Sequence, residues 1–217
     1  MTYTLKNHSI FISYKAIPEG TTPIALTNHA FFNLDGFGGD IKEHTVQIWA
    51  DSYSEVNNKL IPTGNHPNVI GTPLDLKLPQ KVGKDFSPAF DGYDHNMILF
   101  PKFHKEFNNH QIGLAVRVEN PKMIMQVYTD QPGLQFYTGD FLGNGPDFKG
   151  GIPQIRQGAL CLEAQYVHNL YIKKAYSTNR CCMLFFYLEC HGKNGSFVNL
   201  TIKLDGSIVV TDRMLYN

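Results

Sequence analysis

Three short polar motifs interrupt stretches of this 217-residue chain that otherwise have the apolar character of buried strands. They contain His29, Asp94 and Glu163. Because taking a charged group out of water is costly, ionisable residues are rarely buried without partners. One imidazole and two carboxylates held together could donate and accept protons on a polar substrate. We therefore predict that these three residues share one site.

Glu163 lies in the motif CLEAQ at 161–165. Side chains alternate across a strand, so Cys161, Glu163 and Gln165 should share one face. In one interpretation Glu163 is a solvated charge on an edge strand. In the other it is partly desolvated, which would raise its pKa and suit a general base near neutral pH.

His29 and Asp94 each allow two interpretations. His29 could be a core histidine with one hydrogen-bonded ring nitrogen, or a proton donor, since imidazole titrates near neutrality. Asp94 follows the turn-like pair Asp91-Gly92 and directly precedes an apolar run. It could belong to that turn, or its carboxylate could accept hydrogen bonds from ligand hydroxyls.

A fourth segment, at 133–139, places Gln135 and Tyr137 on one strand face. Tyr137 and Phe136 could both be core residues. Alternatively, aromatic rings beside amide and carboxylate groups suit a sugar, because a sugar has apolar faces and hydroxyl-bearing edges.

The wider sequence predicts an all-β fold that positions these motifs. Strand-like segments rich in Val, Ile, Phe, Tyr and Thr occur at 10–15, 45–50, 96–100, 112–118, 123–129, 134–138, 159–165, 183–189, 197–204 and 207–211. Turn signals separate them, and Gly36, Gly92, Gly145, Gly195 and Gly206 could supply the positive φ of tight turns. Closely spaced strands without intervening amphipathic helices indicate an antiparallel sandwich or barrel, here one domain over 1–217.

Composition excludes several classes of partner. The formal net charge is zero and the pI is about 7.1, and neither nucleic acid nor an anionic membrane surface is expected as a partner. The first residues lack the pattern of a signal peptide, and no apolar run is long enough to cross a bilayer, so we expect a cytoplasmic protein. The four cysteines lack the spacing of a structural zinc site, and no metal is expected.

Six motifs together resemble the galactose mutarotase (aldose 1-epimerase) family. They are LTNHAFFNL at 26–34, LIPTG at 60–64, GTPLD at 71–75, GYDHN at 92–96, PGLQFYTG at 132–139 and CLEAQ at 161–165. They occur in the order of the family pattern, over about the first three-quarters of the chain.

The resemblance implies an antiparallel β-sandwich and the interconversion of α and β anomers of hexoses such as galactose and glucose. It implies that Glu163 is the general base and His29 the general acid, without a cofactor. It further implies that Asp94 binds sugar hydroxyls and that Gln135, Asn28 and Tyr137 contribute to substrate binding. The sequence leaves the oligomeric state open.

The resemblance is incomplete at both ends. The chain begins inside the family pattern, so we expect it to lack N-terminal strands, a sugar-contacting arginine and a further histidine. The sequence after Gln165 does not align with the family. We therefore expect weak catalysis and a tendency to associate, unless Arg117, Arg156, Arg180 or Arg213 substitutes in the site.

Two other functions remain open at this point. One is a non-catalytic sugar-binding or regulatory module of the same fold. The other is a glycoside hydrolase that uses Asp94 and Glu163 as its carboxylate pair, which would require the two groups to lie about 5–10 Å apart.

Overall fold

A computed structural model describes residues 1–6, 8–17, 25–36, 39–107, 110–148 and 150–167, together with the backbone of three later strands. Within these residues the chain forms β-strands, turns and loops, and no helix. The strands are β1 Thr2–Lys6, β2 Ser9–Ala16, β3 Phe31–Phe32, β4 Thr45–Ile48, β5 Ala50–Tyr53, β6 Gln80–Lys81, β7 Asp94–Leu99, β8 Lys102–Phe107, β9 His110–Glu119, β10 Met123–Thr129, β11 Gly133–Tyr137, β12 Leu160–Gln165, β13 Arg180–Cys190, β14 Val198–Ile202 and β15 Ile208–Asp212.

Two antiparallel sheets make up most of this structure. The larger is eight-stranded, with the order β1-β2-β13-β10-β9-β4-β6 and with β8 also paired to β9. The smaller is five-stranded, with the order β3-β12-β11-β7-β5. Strands β14 and β15 pair only with each other among the described strands. The predicted all-β, antiparallel fold class is thereby confirmed.

One hydrophobic core joins the two sheets and makes the fold a sandwich. Val116 and Met125 come from the larger sheet, and Phe136 and Leu162 from the smaller. All four side chains are at most 1% exposed. Burying an aliphatic or aromatic side chain of this size contributes about 1.5–3 kcal/mol. Because side chains alternate across a strand and the apolar ones fill this core, the opposite face of the smaller sheet can carry polar groups.

The segment around Trp49 departs from the sequence-based prediction of one strand over 45–50. Strand β4 ends at Ile48 in the larger sheet, and β5 begins at Ala50 in the smaller one. The Trp49 N–H donates to the Ala115 carbonyl, whereas its own carbonyl accepts from Phe100 N–H. Trp49 therefore marks the point where the chain crosses between the sheets, which alternation of apolar residues alone does not reveal.

The predicted positive φ is found at only some of the glycines named above. Gly36 has a φ of 82°, as a tight turn requires. Gly92 and Gly145 do not have positive φ. At Gly92 the carboxylate of Asp140 occupies the place that a Cβ would take, so glycine is needed there for space. Gly195 and Gly206 lie outside the described residues.

In the part of the chain that the structure describes, no helix has the length and apolar character needed to cross a membrane.

Candidate active site

The outer face of the five-stranded sheet carries the predicted polar residues in rows. Gln135 on β11 lies directly opposite Glu163 on β12 and opposite Asn96 on β7. In the next row Tyr137 lies between Asp94 and Cys161. Leu160, Leu162 and Ala164 point into the core, so the predicted alternation along β12 is confirmed.

Glu163 and His29 form the central contact of this face. The Nε2 atom of His29 lies 3.4 Å from Oε1 of Glu163. The Glu163 side chain is only 9% exposed, whereas that of His29 is 55% exposed. Strand β12 pairs with β11 along its length and with β3 at Leu160 and Cys161. Because its side chain is largely buried, Glu163 is not the solvated edge-strand charge of the first interpretation.

Burial raises the pKa of Glu163 above its usual value, and the negative charge of Asp94 raises it further. The nearby His29 acts in the opposite direction and lowers the pKa of Glu163. Burial is the largest of these effects, because a carboxylate loses its hydration in the sheet. A carboxylate with a raised pKa is a stronger proton acceptor, as a general base requires.

Cys161 lies on the other side of the His29 ring. Its Sγ atom is 3.4 Å from Nδ1 of His29, and the thiol is fully buried. Burial is the main cause of a strongly raised thiol pKa, so the group stays protonated. His29 is thus held between a carboxylate and a thiol through its two ring nitrogens.

Asp94 and Gln135 meet in a hydrogen bond. The Gln135 Nε2 donates to Oδ1 of Asp94 at 2.7 Å, and Gln165 Nε2 contacts Gln135 Oε1 at 3.5 Å. These groups open on a cleft of about 370 Å³. Its lining residues are Ser54, Val56, Leu60, Pro62, Asp94, His95, Asn96, Gln135, Glu163 and Gln165. A mixture of carboxylate, amide and apolar groups can hold a small polyhydroxylated molecule.

His29 is not among the residues that line this cleft, and it contacts the cleft through Glu163. Asn28 and Tyr137 lie beside His29 and do not line the cleft either. The Asn28 side chain accepts from Ala30 N–H at 3.2 Å and donates to the Tyr3 hydroxyl at 3.1 Å. The Tyr137 hydroxyl accepts from Phe141 N–H, and its ring meets the His29 ring edge-on at 6.2 Å. Asn28 is therefore placed to hold the loop that carries His29, and the Tyr137 ring packs against the imidazole.

Two polar residues at this cleft were assigned no role from the sequence. The Oγ atom of Ser54 and both amide atoms of Asn96 are buried and have no hydrogen-bond partner among the described residues. The Ser54 backbone N–H donates to the Asn96 carbonyl, which ties the two together. The only available sequence signal was the two-residue spacing between Asp94 and Asn96, which puts both on one strand face.

The arginines proposed as substitutes have other partners where their side chains are described. Arg117 donates to Glu119 on strand β9 of the larger sheet. Arg156 donates to Asp91 at 2.6 Å and lies 3.8 Å from Asp140. The side chains of Arg180 and Arg213 lie outside the described residues.

The family model for aldose 1-epimerase matches residues 1–172. This chain belongs to the aldose 1-epimerase family. The galactose mutarotase of Rattus norvegicus is 41% identical to it over 169 residues, which is 76% of this chain and 47% of the relative. The aldose 1-epimerase of Escherichia coli is 33% identical over 166 residues, or 74% of this chain and 46% of the relative. The chain thus spans about half the length of the curated relatives it matches.

Solved structures show the same fold. A GalM/aldose epimerase homologue from C. elegans aligns with a TM-score of 0.71 at 20% identity, covering 88% of this chain and 59% of its own. Galactose 1-epimerase from Lactobacillus acidophilus aligns with a TM-score of 0.67 at 22% identity, covering 88% and 56%. The β-sandwich described above is therefore the sandwich of this family.

Proposed function

We propose that the chain is a mutarotase that interconverts the α and β anomers of hexoses such as galactose and glucose. The observation that carries this proposal is the 3.4 Å contact between His29 Nε2 and Glu163 Oε1 at the cleft lined by Asp94 and Gln135. Family membership supports the same reaction class.

Ring opening requires two proton transfers close together in space. A base removes the proton of the C1 hydroxyl while an acid protonates the ring oxygen. Both oxygens are bonded to C1, so the base and the acid must lie near each other. Glu163, desolvated and with a raised pKa, is the base, and His29 in its protonated form is the acid.

After the ring opens, rotation about the C1–C2 bond presents the other face of the aldehyde. Reclosure then reverses the two transfers, with protonated Glu163 as the donor and neutral His29 as the acceptor. The pair ends the cycle in its starting protonation state. No electron is transferred, and these side chains can carry both proton transfers without a cofactor.

Asp94 and Gln135 are proposed to hold the sugar for this chemistry. The Asp94 carboxylate accepts hydrogen bonds from ring hydroxyls, and Gln135 can both donate and accept. Asn28 is proposed to orient the loop that carries His29, and Tyr137 to orient the His29 ring. We propose a free hexose as the partner and the cytoplasm as the location, where free hexoses are available.

The test is the rate at which purified protein brings freshly dissolved α-galactose to anomeric equilibrium, followed by polarimetry. We expect a rate above the spontaneous one that scales with protein concentration. The rate should be modest, since Arg117 and Arg156 are paired elsewhere and an oriented cationic donor is missing among the described contacts. Saturable galactose binding without any acceleration would overturn the proposal and indicate a sugar-binding module.

A further inference from the structure

The proposed ring opening uses His29 and Glu163 but not the buried thiol of Cys161 that lies beside His29. His29, Cys161 and Glu163 each offer one ligand atom, and these three atoms lie within 4.8 Å of one another. Each ring nitrogen of His29 has one of the other two groups beside it, since Nδ1 lies 3.4 Å from Cys161 Sγ and Nε2 lies 3.4 Å from Glu163 Oε1. The cluster is therefore compact as well as chemically mixed.

This donor set matches the preference of a borderline-soft transition metal. Imidazole nitrogen, thiolate sulfur and carboxylate oxygen are the protein ligands of Zn²⁺, at about 2.0–2.3 Å. Two ligands on one tetrahedral ion lie about 3.3–3.8 Å apart, which follows from those bond lengths. The two 3.4 Å separations fall in this range. A single ion uses only one nitrogen of His29, so only one of the two 3.4 Å contacts is kept. The other two separations in the set, each at most 4.8 Å, then have to close by up to about 1.5 Å.

Two side chains can make this adjustment. The His29 side chain is 55% exposed, so a modest rotation of its ring brings one nitrogen toward both other groups. Cys161 and Glu163 lie on the same face of strand β12, and rotation about the Glu163 side-chain bonds brings its carboxylate toward the thiol. The fourth position of the ion would face the cleft, where water or a sugar hydroxyl could occupy it.

We propose that His29, Cys161 and Glu163 bind a Zn²⁺-type transition metal ion, and that this ion reversibly blocks the site. Binding rests on the geometry alone, whereas inhibition also rests on the proposed function. A bound ion would occupy the Glu163 carboxylate and one nitrogen of His29. Neither residue could then exchange protons with the sugar.

The binding step releases protons. The Cys161 thiol becomes a thiolate as the metal–sulfur bond forms, and a protonated His29 gives up its ring proton as the metal–nitrogen bond forms, so both protons leave to solvent. The ion therefore competes with a proton for sulfur and with a sugar for the cleft. Hard cations such as Mg²⁺ favour oxygen ligands and should bind far more weakly at this set.

Binding is tested first without an activity assay, by titrating metal-free, reduced protein with Co²⁺ under inert gas. A thiolate ligand gives a sulfur-to-cobalt charge-transfer band in the near ultraviolet, and Zn²⁺ added afterwards should abolish it by displacement. Calorimetry with Zn²⁺ gives the affinity. Mg²⁺ is the negative control.

Two variants and two controls locate the site. Cys161→Ser should abolish the charge-transfer band and weaken Zn²⁺ binding by at least about 10–100-fold, since even supporting residues of metal sites are worth that much. His29→Asn should weaken Zn²⁺ binding by a similar factor, which keeps the test valid if the first variant does not fold. Cys190→Ser, on strand β13 of the other sheet, and His104→Asn, on an exposed part of strand β8, should leave binding unchanged.

Activity is then measured for each variant relative to its own metal-free rate. Zn²⁺ should inhibit the wild type, and a chelator should restore the rate. A charge-transfer band in a protein without mutarotase activity would support the metal site and overturn the proposed function. An active protein that shows no band, or one that Zn²⁺ inhibits equally in Cys161→Ser, would overturn the metal site and leave the proposed function standing.

Discussion

His29 Nε2 lies 3.4 Å from Glu163 Oε1, yet the His29 side chain is 55% exposed and the Glu163 side chain only 9%. The proposed base, Glu163, is therefore desolvated, whereas the proposed acid, His29, remains open to water. Desolvation raises the proton affinity of the carboxylate, and exposure lets the imidazole exchange its proton with solvent. Each residue is thus placed in the environment that its proposed role needs.

Substituting Glu163 by Gln should remove the base and keep the shape of the side chain. Loss of a positioned general base costs roughly 10²–10⁴-fold in rate, and kcat for galactose should fall by that factor. The matched control is Glu106→Gln on strand β8, an exposed position in the other sheet, which should keep wild-type turnover. A Glu163→Gln protein with near-normal kcat would show that another group accepts the proton.

Substituting His29 by Asn should separate catalysis from binding. The Asn amide can still form a hydrogen bond but cannot deliver a proton to the ring oxygen. Because that proton transfer matters in the transition state, kcat should drop by about 10²-fold or more while KM changes little. Steady-state kinetics over a range of galactose concentrations checks this. A large rise in KM at unchanged kcat would instead make His29 a binding residue.

Activity should also depend on pH in a direction set by Glu163. Its pKa is raised mainly by burial and further by Asp94, and the base works only when deprotonated. As pH falls through this raised pKa, kcat/KM should fall, with its midpoint above the usual Glu value of about 4.3.

Asp94→Asn removes one cause of the upward shift in the Glu163 pKa, so the midpoint should move to lower pH. Asp40→Asn, an exposed position outside the cleft, should leave the midpoint unchanged. An Asp94→Asn midpoint equal to that of the wild type would contradict the coupling.

The sequence predicted much of this site because strand periodicity constrains it strongly. The alternation in CLEAQ placed Cys161 and Glu163 on the polar face, and Gln135 lies directly opposite Glu163 on the neighbouring strand. Strand β10 has the predicted bounds Met123–Thr129. Local pattern and final structure agree there because 123–129 is a run rich in β-branched, aromatic and other apolar residues that the sheet buries almost throughout.

Other features depend on contacts between distant segments, which a local pattern does not contain. Strand β8, Lys102–Phe107, is mostly exposed and has no apolar alternation, so it was not predicted. The contact between Cys161 and His29 joins residues 132 positions apart. The hydrogen bond from Asn28 to the Tyr3 hydroxyl also joins separate segments, and strand β1, which carries Tyr3, was not predicted from the sequence.

The hydrogen bond from Gln135 to Asp94 should make the two residues act together in sugar binding. Asp94→Ala and Gln135→Ala should each raise KM for galactose, but the double variant should lose less than the sum. We expect a coupling free energy on the order of 1 kcal/mol, or about fivefold in KM. Gln47→Ala on strand β4 of the larger sheet removes a hydrogen bond to the Lys77 carbonyl. It serves as the control partner and should combine additively with Asp94→Ala. Additive losses for Asp94 and Gln135 would mean that they bind sugar independently.

The unpaired hydroxyl of Ser54 should cost stability rather than provide it. Its Oγ atom is buried without a partner among the described residues, and such a group costs about 1–3 kcal/mol in lost hydration. Ser54→Ala removes that group at the expense of a small void, so the free energy of unfolding should stay constant or rise by up to about 1 kcal/mol.

Thr138→Val is the matched contrast, because the Thr138 hydroxyl is buried but accepts from Tyr93 N–H and donates to Asp140, both at 2.8 Å. That substitution leaves the buried Tyr93 N–H without its partner and removes one donor from the partly buried Asp140 carboxylate, so it should lower stability by about 1–3 kcal/mol. Urea denaturation of the two variants beside the wild type measures both values, and a marked loss in Ser54→Ala would show that its hydroxyl has a partner in solution.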